Sequence, residues 1–290
     1  MIDIRHITFH YAGQREPVFR DFSLQLSENR IYGLLGKNGT GKSTLLYLIA
    51  GLLRPQVGSV CCNTVAAAVK RPADLLRDLF IVTEEFDLPA MTLEAYVHLI
   101  APFYPRFSQE VLQRCLDDFE LPLSLHLNRL SMGQKKKVYM SIALAARTRV
   151  LLMDEPTNGL DIPSKSQFRR VVAQNMTDDR TLIISTHQVH DVEALLDHLL
   201  ILSDQGLLLD ASVPSLTDRY AFSVRPAGTV AGAPSAPTVV GDSVADTPDV
   251  LYAEPTLQGN AVITRRREGD PETQLNLELL FNAVTKGLLR

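Results

Sequence analysis

Gly36-Lys37-Asn38-Gly39-Thr40-Gly41-Lys42-Ser43-Thr44 is the stretch that decides how this chain is read. The apolar end of residues 28–35 before it reads as a buried strand, and residues 45–51 after it suit a helix packed on a sheet. The nine residues therefore fill the turn between strand and helix, the context that gives the pattern G-x-x-x-x-G-K-[ST] its meaning. Glycines 36, 39 and 41 permit dihedrals that turn successive backbone N–H groups inward, so the loop, with Asn38 and Thr40 in it, becomes a nest for anionic oxygens. A helix starting near Lys42 adds its unpaired amides and the positive end of its dipole. In that cradle Lys42 reaches toward the outer phosphates, the Ser43 hydroxyl is a Mg2+ ligand, and Thr44 caps or packs.

Length and composition bound the rest. A chain of 290 residues with a hydrophobic fraction of 46% supports one large domain or a main domain with an appendage. The formal net charge of −4 gives no general reason to expect nucleic-acid binding. Cys61, Cys62 and Cys115 have no metal-ligand spacing, and the usage fits a reducing, intracellular setting. Asp3, Arg5 and His6 stand where a secretory leader would be apolar, and no segment offers 18 uninterrupted apolar residues. A soluble protein is expected, with any membrane role supplied by a partner.

Outward from the loop, residues 2–9 and 19–26 alternate as strands, with Tyr11 in the hairpin between them, where an aromatic ring could stack on a purine. Residues 58–62 begin another strand, 66–77 read as a weak helix, and 79–82 as a buried strand running into Glu84 and Glu85. Residues 93–129 form a small helical insertion. One face is Leu93, Tyr96, Val97, Ile100 and Phe103, and another is Val111, Leu112, Cys115, Leu116 and Phe119.

Next come Leu130-Ser131-Met132-Gly133-Gln134 and a helix with a basic start. Ser131 and Gly133 can present a hydroxyl and open amides to phosphate. Residues 150–154 are an apolar strand that ends in Asp154 and Glu155. Asp154 is suited to a magnesium shell, and Glu155 to polarising a water for attack on a terminal phosphate. Asn158-Gly159-Leu160-Asp161 follows as a turn, then a helix over 164–176 and an apolar strand over 181–186. His187 stands just beyond that strand, placed to sense or stabilise a terminal phosphate.

This ordered set resembles the ATP-binding subunit of an ABC transporter over about residues 1–212. By that resemblance Tyr11 matches the adenine-stacking aromatic, residues 36–44 the Walker A loop and residues 130–134 the signature sequence, including Gln134. Asp154 and Glu155 match the Walker B acid and catalytic base, the turn ending at Asp161 the loop that communicates across a dimer, and His187 the switch histidine. The implied fold is α/β: a P-loop NTPase sheet core with an antiparallel β subdomain and the α-helical insertion at about 93–129; beyond the resemblance, the residues of 213–290 themselves read as a small C-terminal α+β appendage.

The implied function is Mg2+-dependent ATP hydrolysis at composite sites of a head-to-tail dimer, expected as a homodimer. Lys42, Glu155 and His187 would be catalytic, and Ser131 and Gly133 of one copy would complete the site built on Lys42 of the other. Separate transmembrane permease subunits would hold the chain at the inner face of the cell membrane. Two departures stand out. Glu84 replaces the usual glutamine, keeping a contact to nucleotide or Mg2+ but losing the amide donor, with Glu85 the alternative if the register shifts. Met132 replaces a usual glycine. The short insertion, Glu84 and the lysines after Gln134 look most like exporter ATPases, and a soluble ABC ATPase acting on ribosomes or nucleic-acid machinery is the alternative.

Beyond residue 212, residues 226–248 are rich in Ala, Gly, Pro and Ser and read as loops or a flexible connection. Residues 250–253 and 261–264 are expected as a hairpin around a turn at Gly259-Asn260. Arg265, Arg266 and Arg267 read as a solvated strand exit. Asp270-Pro271 reads as the start of a helix with Leu277, Leu280, Phe281 and Val284 on one face, ended by Gly287.

Overall fold

The computed structural model describes residues 1–62, 65–66, 73–226 and 250–289. β1 (Ile2–Phe9) and β2 (Phe19–Leu26) pair antiparallel, with Ile2 opposite Leu26 and Phe9 opposite Phe19. β3 (Ile31–Gly36) leads through the glycine loop into α1 (Lys42–Ile49). β4 (Val57–Cys62) and the two-residue β5 (Val65–Ala66) complete a four-stranded antiparallel sheet in the order β2-β1-β4-β5. Ala66 is thus in a strand, and the helix expected from 66 begins only as α2 (Ala73–Asp78), its intervening residues lying outside those described. β6 (Leu79–Val82) follows directly.

The insertion consists of α3 (Leu93–Ile100) and α4 (Gln109–Asp118), capped by the Thr92 and Ser108 hydroxyls. Phe103 leaves the expected apolar face. A 3₁₀ turn over Ala101–Phe103, entered at Pro102, breaks the α period and leaves that ring 70% exposed. α5 (Met132–Ala145), β7 (Val150–Asp154), α6 (Ile162–Gln174) and β8 (Thr181–Thr186) then alternate, and β9 (His198–Ser203) and β10 (Gly206–Ser212) close the central sheet. Its order is β10-β9-β3-β8-β7-β6, parallel except for β10.

Both faces of this sheet are covered, which is why its strands read as unbroken apolar runs. The pleat divides them: Leu34, Leu152, Ile183 and Leu200 face α1 and the antiparallel sheet, whereas Leu35, Leu151, Ile184 and Ile201 face the helical side.

The C-terminal region adds α7 (Val213–Arg219), β11 (Tyr220–Arg225), β12 (Val250–Thr256), β13 (Gly259–Arg265) and α8 (Leu277–Thr285). The hairpin is there, but its turn is Leu257-Gln258; Gly259 and Asn260 belong to β13. Glycine is needed at 259 because the unanticipated β11 comes so close that an added Cβ would lie 2.1 Å from the Arg225 carbonyl oxygen. The last helix starts at Leu277, where Asn276 caps the Leu279 N–H and the apolar stripe begins. Asp270 instead accepts from the Arg267 N–H at 2.7 Å in a local turn. Arg266 is tucked in, donating to the Thr217 carbonyl and pairing with Asp218, so only its neighbours fit a solvated exit. The linker expected at 226–248 lies, but for Pro226, outside the described residues.

Candidate nucleotide site

The loops at the carboxyl ends of β3, β6 and β7, the edge where parallel α/β sheets bind ligands, meet the connection between β1 and β2. They border a cavity of about 410 Å³ lined by Tyr11, Gln14, Val18, Asn38, Gly39, Gly41, Lys42, Ser43, Thr44, Glu84 and Glu155.

Gly39 and Gly41 adopt φ of 88° and 95°, the left-handed region that turns the loop amides inward. Gly36 serves differently. Its φ is ordinary, but an added Cβ would sit 2.6 Å from Thr40 Oγ1 and 2.8 Å from the Leu202 carbonyl oxygen. Thr40 stands behind the loop and ties it by donating to the Lys37 carbonyl at 3.0 Å. Lys42 folds back under this arch, its Nζ donating to the carbonyls of Gly36 at 2.9 Å and Lys37 at 3.2 Å. Burial pulls the Lys42 pKa down, while Glu155, Asp154 and Glu84 pull it back up. Tyr11 leans over the rim, edge-on to Phe9, its hydroxyl 3.0 Å from Thr44 Oγ1.

Asp154 is 1% exposed and accepts a hydrogen bond from Ser185 Oγ. Glu155 next to it has φ 45°, a conformation costing a side-chain-bearing residue roughly 1–2 kcal/mol. Its amide donates to the Ser185 carbonyl at 3.0 Å, which holds the backbone in that turn. The Glu155 carboxylate lies 3.9 Å from Lys42 Nζ and 2.8 Å from His187 Nδ1, and it also accepts from the Thr186 hydroxyl and the His187 amide. Glu84, not the exposed Glu85, lines the cavity, and it accepts from Asn158 Nδ2 at 2.8 Å.

Ser131, Gly133, Gln134 and Asp161 are not among the cavity's lining residues. Ser131 and Gln134 form a reciprocal capping box at the start of α5, with Met132 beside them 56% exposed. Asp161 caps α6 by accepting from the Ser164 amide, and hydrogen bonding from the Ser164 side chain, then from that amide, holds its carboxyl below the usual carboxylate range.

Sequence reasoning missed Lys136, which is 5% exposed and donates to the carbonyls of Glu155 and Asn158. Its spacing carried the signal: it shares a helical stripe with the buried Met140 and Ala143. The role of Ser185 had no signal, since only the pairing of β7 with β8 brings it to Asp154.

The residues fit a magnesium nucleotide. Among the described residues no group of three or more His, Cys, Asp or Glu could hold a metal ion alone. Mg2+ is ordinarily held by one or two carboxylates together with substrate phosphates and water, so Ser43 and Asp154 suit it.

A sequence model described as ABC transporter matches residues 19–158. The chain is 30% identical over 207 residues to the ABC transporter ATP-binding protein NatA of Bacillus subtilis (strain 168), covering 68% of this chain and 82% of the relative. Its identity to the ABC transporter ATP-binding protein YtrB of the same organism is 26% over 221 residues, 76% of this chain and 75% of the relative. The solved ATP-binding subunit of an ABC transporter superposes with a TM-score of 0.66 at 24% identity, over 73% of this chain and 90% of that one. A bacterial ABC transporter cassette solved as a dimer gives 0.65 at 24% identity, over 73% and 99%.

Proposed function

The chain belongs to the family of ABC transporter ATP-binding proteins, ATP-hydrolysing P-loop NTPases that serve transport systems, and from that premise we propose that it powers an exporter whose membrane pathway is a separate polypeptide. Among the described residues no helix is long and apolar enough to cross a membrane, so the pathway is assigned to partner subunits. The exporter direction rests on the short insertion, Glu84 in place of glutamine, and the lysines that follow Gln134. The chain works at the inner face of the membrane, with residues 1–212 as the ATPase domain and 213–290 as a brace. That brace is joined to the segment beyond His187, where Glu193 accepts from the Leu277 amide at 2.8 Å.

The observation that carries the reading is the Glu155 carboxylate, fixed between Lys42 and His187 at the rim of the glycine cradle. The inward amides and Lys42 hold the outer phosphates, and Tyr11 offers a ring for the base. Ser43 and Asp154, with Glu84 beside them, would hold Mg2+, which supplies charge neutralisation at the phosphates. Glu155 takes the proton of the attacking water, and His187 orients that carboxylate through its Nδ1 contact. Ser131, Gly133 and Gln134 complete the site from a second copy, and Asp161 sits at the seam between the two. Replacing Glu155 by Gln is expected to slow turnover by about 10²–10⁴-fold with ATP still bound. Ordinary turnover in that variant would reject the catalytic assignment. Recovery of the native partner tests the coupling: a polytopic membrane protein whose ATP-dependent activity needs Glu155 is expected, and ribosomes or nucleic-acid machinery without a membrane partner would overturn it.

A further inference from the structure

Lys136 holds an ammonium group where an apolar side chain would be expected. It lies on the buried stripe of α5 and is 5% exposed, so its stem does not carry the charge to water. Nζ is directed at two backbone oxygens, Glu155 O at 3.1 Å and Asn158 O at 2.8 Å. These are the first and last residues of one turn, itself closed by the Asn158 amide donating to the Glu155 carbonyl at 3.2 Å. That turn carries the left-handed Glu155 at one end, and at the other Asn158, whose side chain donates to Glu84. Burial lowers the Lys136 pKa, and Glu84, Glu155 and Asp154 oppose that shift.

We propose that Lys136 is a positioning residue for hydrolysis: its buried ammonium clamps the 155–158 turn, fixing the direction of the Glu155 carboxylate and joining it to the helix that begins at Ser131. The proposal rests on the reading of Glu155 as the water-activating group. The clamp matters because a non-glycine residue at positive φ has a lower-energy alternative nearby, and relaxing into it would swing the carboxylate. A charge-assisted donor resists that relaxation better than a neutral one, and its two acceptors pin both ends of the turn. Because α5 is continuous from Ser131 to this point, whatever docks against its exposed start is mechanically joined to the catalytic turn of the same chain.

The test uses the full-length chain with Lys136→Met and Lys136→Gln, each alone and combined with Glu155→Gln. Lys136→Met is expected to lower kcat by about 10–100-fold through misplacement of the carboxylate, with KM for ATP changed less than about threefold. Lys136→Gln, which keeps N–H donors, is expected to fall between wild type and Met. In the Glu155→Gln background neither change should lower the residual rate further, since Lys136 acts through that carboxylate. A wild-type kcat in Lys136→Met, a loss that tracks weaker ATP binding, or additive losses in the double variant would each overturn the proposal. If the Met variant fails to fold, the Gln variant and its double with Glu155→Gln decide by the same criteria. Failure of the underlying reading looks different: Glu155→Gln alone would then turn over normally.

Discussion

Gly41 and Gly133 each stand at the start of a helix that faces phosphate in the proposed site, yet their surroundings differ. At Gly41 φ is 95°, and an added Cβ would lie 2.7 Å from Val18 Cγ1 and 2.9 Å from Phe19 Cζ. At Gly133 φ is not positive, and the nearest atom to an added Cβ is the Gly159 carbonyl oxygen at 3.7 Å, an ordinary contact. The chain's own fold requires glycine at 41 and has room for a methyl at 133. Any demand for smallness at 133 must come from something that approaches from outside. The cradle is lined from several elements of one chain, whereas at the capped Ser131–Gly133 edge the described residues offer an added Cβ only ordinary contacts, to Gly159 and Leu160.

Three substitutions probe that contrast, in order of expected effect. Lys42→Ala removes the cation under the arch, and ATP turnover should fall by at least about 10²-fold together with ATP binding. Retained tight binding would mean the phosphates sit elsewhere. Gly41→Ala forces a side chain into left-handed backbone, at roughly 1–3 kcal/mol, and into the Val18–Phe19 contact, at about 1–3 kcal/mol more. Thermal denaturation should register this as a lowered Tm even without nucleotide. Gly133→Ala should leave the single chain as stable as before or better by less than about 1 kcal/mol, since alanine favours helix. Its turnover should still drop, and a drop in Tm of the Gly41→Ala kind would erase the contrast between the two corners.

The cradle was legible because its chemistry is local: the glycines, Lys42 and Ser43 lie within nine consecutive residues, and strand and helix flank them. Glu155 and His187 were legible as strand exits, and the parallel pairing of β7 and β8 brings them to 2.8 Å. For Lys136 the spacing on a buried helical stripe was legible but its role was not, since its partners are carbonyls 19 and 22 residues away and carbonyls have no signature in sequence. The C-terminal region was read least well. The Asp270-Pro271 pair suggests a helix start, yet Asn276 does the capping, because an Asp-Pro pair also makes turns. Its third strand, β11, joins β13 across a long stretch of chain, and such pairing is set by tertiary packing more than by local propensity.

In the proposed site, one chain's cradle and a second chain's Ser131 edge together form a single hydrolysing centre. Light scattering of Glu155→Gln protein with and without ATP tests it most directly, with Glu155→Gln/Ser131→Arg as the companion. With hydrolysis blocked, ATP should shift the mass from one chain to two, with one nucleotide retained per chain. The Ser131→Arg companion should bind ATP yet keep the mass of one chain, because the guanidinium bulk blocks the approach. A Glu155→Gln protein that binds ATP and remains a single chain, or a companion that pairs as well as its parent, would contradict the claim.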